Sequence, residues 1–277
     1  MAASARRFMT VVSFAGWAML LALALYGAAM AWLWFKQEKL LFAPDVLAAS
    51  HPLAKAPDIH ELTIDVPGAT LSALHLRLPA PKGVVFFLHG NGGSLESWFI
   101  NPEFYRRVNY DLFMIDYRGY GKSTGQIESE AQLRADVRAA WATVAPQYAG
   151  RKVVFYGRSL GTGLAAGLAA ELGDIPDLTV LVSPYISMIS LAAEHYRWVP
   201  GVLLRYPLRT SELVGRIRGP LMLIHGDQDP VIPSSHSDTL KMLAPQAMLL
   251  HIAEAAHNDL QDFEAYLNAF ARALADL

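Results

Sequence analysis

Five short apolar runs, at residues 84–88, 112–116, 153–156, 180–183 and 221–225, constrain this chain more than any other feature. Each is largely continuous rather than alternating and is too brief for a core helix. Strands of that kind are buried on both faces, which requires a mostly parallel sheet covered by helices on both sides. Strand-like runs at 61–66 and 71–78 precede them as an early hairpin, and one at 248–252 follows. Helical stretches lie between. In residues 128–144, Leu133, Val137, Ala140, Trp141 and Val144 form an apolar stripe, with Glu130, Arg134, Asp136 and Arg138 among the polar positions. Residues 258–277 repeat the pattern with Leu260, Phe263, Leu267, Phe270 and Leu274. The alternation predicts one α/β domain over residues 58–277.

The third of the five runs leads into Gly157-Arg158-Ser159-Leu160-Gly161, and a small-residue stretch follows it from Thr162 to Ala170. A serine on a sharp strand-to-helix turn has a strained backbone, and its neighbours two before and two after must be nearly free of side chain for the turn to close. Gly157 and Gly161 meet that demand. The turn lifts the Ser159 hydroxyl off the sheet and frees the N–H of Leu160 at a helix N-terminus, where it can meet a developing oxyanion.

Other chemistry-bearing residues fall at the ends of other apolar runs. The run at 84–88 ends in His89-Gly90-Asn91-Gly92-Gly93, a glycine-rich turn whose backbone can approach a bound group. Its functional reading is a second oxyanion donor, the N–H of Asn91 first and of Gly92 second; its plain reading is a glycine-rich βα turn. The segment from Asp116 to Ser123 puts Asp116 and Arg118 at the carboxyl edge of the sheet, in a loop-fixing role. The run at 221–225 ends in His225-Gly226-Asp227-Gln228-Asp229. A nucleophilic serine needs an imidazole base, and the imidazole needs a carboxylate. Asp229 is the candidate acid, with Asp227 as a brace for backbone N–H groups. Of the histidines beyond it, His236 falls at a helix start and His251 inside a strand, whereas His257 lies on the loop before the last helix.

From residue 8 to 35 no charge appears, a length sufficient to cross a bilayer core of about 30 Å. Residues 1–39 are therefore read as an N-terminal membrane anchor, with Trp32 and Trp34 as interfacial aromatics, and residues 40–57 as a connector. Ala29-Met30-Ala31 would suit signal-peptide cleavage, but the apolar region exceeds the length of a signal peptide, which favours an uncleaved single-pass anchor. Arg6, Arg7 and the amino terminus stand against Lys36 and Lys39, a slight bias toward a cytoplasmic N-terminus and a catalytic domain on the other side. The net charge of −2 argues against a nucleic-acid partner. The absence of cysteine excludes disulfides, thiolate catalysis and cysteine-held zinc, and no His-Glu-x-x-His helix points to a metal.

Together the glycine-rich turn at 89–93, the segment at 116–121, the Ser159 elbow, His225 to Asp229 with Val231 and Pro233, and Ala256-His257-Asn258-Asp259 resemble the α/β-hydrolase superfamily, and within it the small single-pass membrane-anchored serine hydrolases. The resemblance implies a triad of Ser159, Asp229 and His257 with Asn91 and Leu160 as backbone oxyanion donors. It implies hydrolysis of carboxylic esters, thioesters or amides without metal or organic cofactor. The substrate expected is a small-molecule acyl ester or lipid, and the rival readings are a peptidase of the same fold and a membrane-tethered scaffold. Two departures stand out: residues 185–219, where relatives insert a large lid, are short, and Ala256 replaces a common glycine.

Overall fold

The computed structural model describes the backbone of residues 2–277 and the side chains from residue 14 onward. An eight-stranded sheet organises it, in the order β10-β9-β8-β7-β4-β6-β3-β2. Its strands are β2 (Ile59–Val66), β3 (Ala69–Leu76), β4 (Gly83–Leu88), β6 (Tyr110–Ile115), β7 (Lys152–Arg158), β8 (Leu178–Val182), β9 (Leu221–Gly226) and β10 (Met248–Ile252). β3 pairs antiparallel with β2 and β6, and every other neighbour in this sheet is parallel. Each of the eight runs expected from the sequence is a strand of this sheet.

The continuous apolar runs are explained by burial on both faces. In β4, Val84, Phe86 and Leu88 join one core and Val85 and Phe87 the other. The first core lies under α4 (Glu130–Val144) and α5 (Leu160–Leu172), where Phe86 stacks on Phe113 at 5.7 Å and meets Trp141 edge-on. The second lies under α3 (Pro102–Val108) and α8 (Glu264–Ala275), where Phe104 stacks on Phe270. Burying a side chain of this kind is worth about 2 kcal/mol. α2 (Leu95–Trp98) follows the turn after β4, and α7 (Ser235–Leu243) lies between β9 and β10. α4 starts two residues later than expected, because Ser129 accepts a hydrogen bond from Gln132 N–H and caps it. α8 starts at Glu264, after the loop from Asn258 and a single 3₁₀ turn at Leu260–Asp262.

At the N-terminus α1 runs without a break from Ala2 to Leu41, and within it Phe14–Leu41 is long and apolar enough to cross a membrane. The last turns carry Gln37 and Glu38, which bind the cap: Glu38 pairs with Arg205 at 2.6 Å and accepts the Tyr206 hydroxyl at 2.8 Å. Immediately after α1 the chain docks on the domain. Phe42 is buried edge-on against Tyr206, and β1 (Ala43–Pro44) pairs in parallel with β5 (Gly92–Gly93). Between β8 and β9 the cap consists of α6 (Met188–His195) and three 3₁₀ turns at Gly201–Leu203, Thr210–Glu212 and Val214–Arg216.

Candidate active site

Ser159 sits between β7 and α5 with φ 51° and ψ −119°, a conformation that costs of order 1–3 kcal/mol for a residue with a Cβ. The neighbouring glycines permit it. A Cβ on Gly161 would lie 2.0 Å from the Leu88 carbonyl oxygen, and one on Gly157 would lie 2.4 Å from that of Gly161. The strand, the turn and the helix therefore touch through bare backbone. Leu160 is the first residue of α5, and among the described residues its N–H has no hydrogen-bond acceptor, as expected at a helix start.

His257 reaches Ser159 from the loop after β10, its Nε2 3.0 Å from Oγ. On its other side Nδ1 lies 2.6 Å from Asp229 Oδ2. A carboxylate only accepts, so Nδ1 carries the hydrogen and Nε2 is left to receive the Ser159 proton. Asp229 Oδ1 accepts the N–H groups of Val231 and Ile232, both at 2.8 Å. Burial raises the Asp229 pKa, but the hydrogen bonds from His225, His257 and the Ile232 N–H outweigh it and hold the carboxyl well below the ordinary range. The three residues singled out by sequence are thus brought into one hydrogen-bonded line.

Asp227 differs from expectation. Its carboxylate meets the His251 ring at 2.6 Å instead of bracing backbone N–H groups, because β9 and β10 are paired and bring the end of one beside the other. His251 also reaches Asp238; burial pushes the His251 pKa down, but the two carboxylates together outweigh it and raise the value. His236 accepts the Ile186 N–H and contacts Glu194, which ties α7 to the cap. Asp116 does fix a loop, accepting the Leu95 N–H at 2.9 Å, and Arg118 forms a two-pronged pair with Asp136.

Asn91 lines the same cavity as Ser159 and His257, about 500 Å³ in volume. The buried His89 ring fixes the peptide before it: Nδ1–H donates to the Gly90 carbonyl at 2.7 Å. In a trans peptide the N–H points opposite to the C=O, so the Asn91 N–H is turned away from His89. Among the described residues that N–H has no acceptor. The Asn91 carbonyl is pinned from behind by Ala43 N–H at 2.9 Å and the Tyr120 hydroxyl at 2.5 Å. Burial lowers the His89 pKa to about 4, which keeps the ring neutral, and raises that of Asp116, 3.7 Å away, to about 7.

Sequence reasoning assigned no role to Arg158, Tyr120 or Ala43. Arg158 is buried and, among the described residues, has no carboxylate partner; its guanidinium donates to the His257 carbonyl at 3.1 Å and to Gln261 Oε1 at 2.7 Å, and lies over the Trp98 ring. Its place inside the Ser159 motif was visible, but its reach of 99 positions to the His257 loop was not. Among the described residues no cluster of histidine, aspartate and glutamate is arranged to hold a metal ion.

Comparison with known proteins gives the family of the chain. The family described as serine aminopeptidase, S33 matches residues 79–207. An uncharacterized protein of Mycobacterium tuberculosis is 28% identical over 88% of this chain and 89% of its own length. Alpha/beta hydrolase domain-containing protein 17B of Xenopus laevis is 31% identical over 75% of this chain and 72% of its own. An esterase of Pyrococcus furiosus superposes with a TM-score of 0.66 at 18% identity, covering 85% of this chain and 97% of that one. With the sheet order, the elbow and these relatives in hand, the chain belongs to the α/β-hydrolase family.

Proposed function

We propose that this hydrolase is a membrane-anchored serine enzyme that cleaves carboxylic esters or thioesters of hydrophobic acyl groups. The observation that carries the reading is the 3.0 Å contact between His257 Nε2 and Ser159 Oγ, backed by the Asp229 carboxylate. His257 takes the hydroxyl proton as Ser159 Oγ bonds to the acyl carbon. The oxyanion is met by the N–H groups of Asn91 and Leu160. His257 then gives its proton to the leaving alkoxide or thiolate, and an acyl-enzyme remains. Water, deprotonated by the same imidazole, releases the acid. The α1 helix holds the domain at a bilayer, and the bias of basic residues at its two ends favours a domain on the non-cytoplasmic side.

The matched family's description raises aminopeptidase activity as a second reading. Against it stands the wall of the cavity, which among the described residues carries the Arg158 cation and no carboxylate to receive a substrate ammonium. A scaffold role would survive loss of the Ser159 hydroxyl, whereas hydrolysis would not. The test is hydrolysis of a butyrate ester by the full chain in detergent. Ser159→Ala is expected to lower kcat by at least about 10³-fold with folding retained. Equal turnover by the variant would end the serine-hydrolase reading.

A further inference from the structure

A second cavity of about 500 Å³ runs between α1 and the cap. Its walls include Trp32, Leu33 and Leu40 on α1 and Leu191, Ala192 and Leu203 on the cap. The polar groups nearby are already engaged. Gln37 Nε2 donates to the Leu203 carbonyl and its Oε1 accepts the Arg205 N–H; the Tyr206 hydroxyl is held by Glu38, and His195 contacts the Val231 carbonyl. What remains is a hydrocarbon-like surface. One residue, Val231, lines both this groove and the cavity that contains Ser159, and its N–H donates to Asp229. The groove therefore abuts the reacting centre.

Its other boundary is the helix that is long and apolar enough to cross a bilayer. Trp32, Tyr196 and Trp198 are each more than half exposed at this end, the placement of aromatic side chains at a membrane interface. The Tyr26 hydroxyl donates to the Trp198 carbonyl, so the cap lies along α1 inside its apolar span. An extended peptide would need partners for its backbone N–H and C=O groups, and these walls leave it none. An acyl chain needs no such partners.

We infer that this groove binds one acyl chain of an ester lipid resident in the same bilayer, with the ester carbonyl brought past Val231 to Ser159. The inference rests on the serine-hydrolase reading and adds the substrate class and its route. For esters offered from water, each methylene buried in the groove favours binding by up to about fourfold.

The test uses the full chain in detergent with acetate, butyrate, octanoate and laurate esters, comparing wild type with Ala192→Trp, which fills the groove from the half-buried face of α6. A small fluorophosphonate reports in parallel on the Ser159 nucleophile. Wild-type kcat/KM is expected to rise along the series, and the variant to lose at least about tenfold on laurate while acetate turnover and labelling stay within about twofold. Equal effects on acetate and laurate, or none on either, would overturn the groove while labelling upheld the serine enzyme. A change in oligomeric size with an unaltered chain-length profile would put a protein segment in the groove and likewise overturn it. A second readout depends neither on turnover nor on Ala192→Trp: in Ser159→Ala, a phospholipid with a photoactivatable acyl chain in nanodiscs should cross-link to residues 188–204. Cross-links confined to residues 14–31 would contradict the proposal. Absence of wild-type labelling with cross-links at the cap would sink the hydrolase reading alone.

Discussion

The two turns that flank the cavity are built in opposite ways. The Ser159 turn is self-contained: Gly157, Gly161, the end of β7 and the start of α5 lie within a few residues and fix one another by backbone contact. The Asn91 turn is assembled from afar. Its carbonyls are held by His89, by Tyr120 and by Ala43, which lies just beyond α1, and the Asn91 side chain donates to the Leu41 carbonyl. A strained nucleophile is best held by a short rigid element, because strain persists only where its surroundings over-determine it. A backbone donor needs only its peptide plane fixed, and any part of the chain that reaches the opposite edge can do that. The difference also links α1 to the site: the strand that leaves α1 is the strand that pins the Asn91 carbonyl.

Changes to the local turn should have the largest effects. Gly161→Ala drives a Cβ against the Leu88 and His89 carbonyls, which are backbone and cannot swing aside. Thermal unfolding should show a loss of about 3 kcal/mol or more, together with lost turnover. A variant as stable and active as wild type would mean that α5 does not pack on β4 in this way. For the assembled turn, Ala43→Pro removes one donor to the Asn91 carbonyl and Tyr120→Phe the other. Each should lower kcat by about tenfold and the pair by more, with KM for a short ester little changed, since a misaimed oxyanion donor acts on the transition state. If KM rises and kcat holds, the strap serves binding and not the oxyanion site.

Smaller effects separate the two sides further. Arg158→Met releases the His257 carbonyl and Gln261. Stopped-flow acylation should slow by about tenfold, the scale of a lost charge-assisted hydrogen bond, and Arg158→Lys should recover part of it. No recovery would assign Arg158 to packing over Trp98. Smallest is a pH effect behind the Asn91 turn. The folded-state pKa of Asp116 is raised from 3.8 to about 7, so between those values the folded protein holds a proton that the unfolded chain does not. That contribution is fully present below pH 3.8 and is lost as pH rises through about 7. The stability of Asp116→Asn relative to wild type should therefore climb over that window and level off above it, as read by denaturant titration at several pH values. A difference that does not vary with pH would mean that Asp116 is ionised throughout.

The same contrast governs what the sequence made legible. The Ser159 turn could be read because its requirements are local and chemical: two glycines, an apolar run before and small residues after. Asp229 and His257 were readable from their order and their place after strands. The strap at Ala43–Pro44 left no trace, because it acts through backbone N–H and C=O groups that any residue supplies. By sequence alone Leu40-Leu41-Phe42 fits either a membrane surface or a docked position, and the burial of Phe42 edge-on against Tyr206 distinguishes them. Asp227 was misjudged because its partner, His251, arrives through the pairing of β9 with β10, a contact with no signature in the segment itself. Helix starts shifted for a related reason, since capping at Ser129 and the 3₁₀ turn at Leu260–Asp262 preserve the apolar spacing that marked the longer stretches.

The most direct measurement is the rate at which a small fluorophosphonate labels the full chain in detergent, for wild type, Ser159→Ala and His257→Ala. The geometry predicts stoichiometric labelling of wild type, none in Ser159→Ala, and at least about a 10³-fold slower rate in His257→Ala, all three remaining folded. Labelling at another residue, or labelling indifferent to His257, would contradict the claim that Ser159 is activated by the imidazole that lies against it.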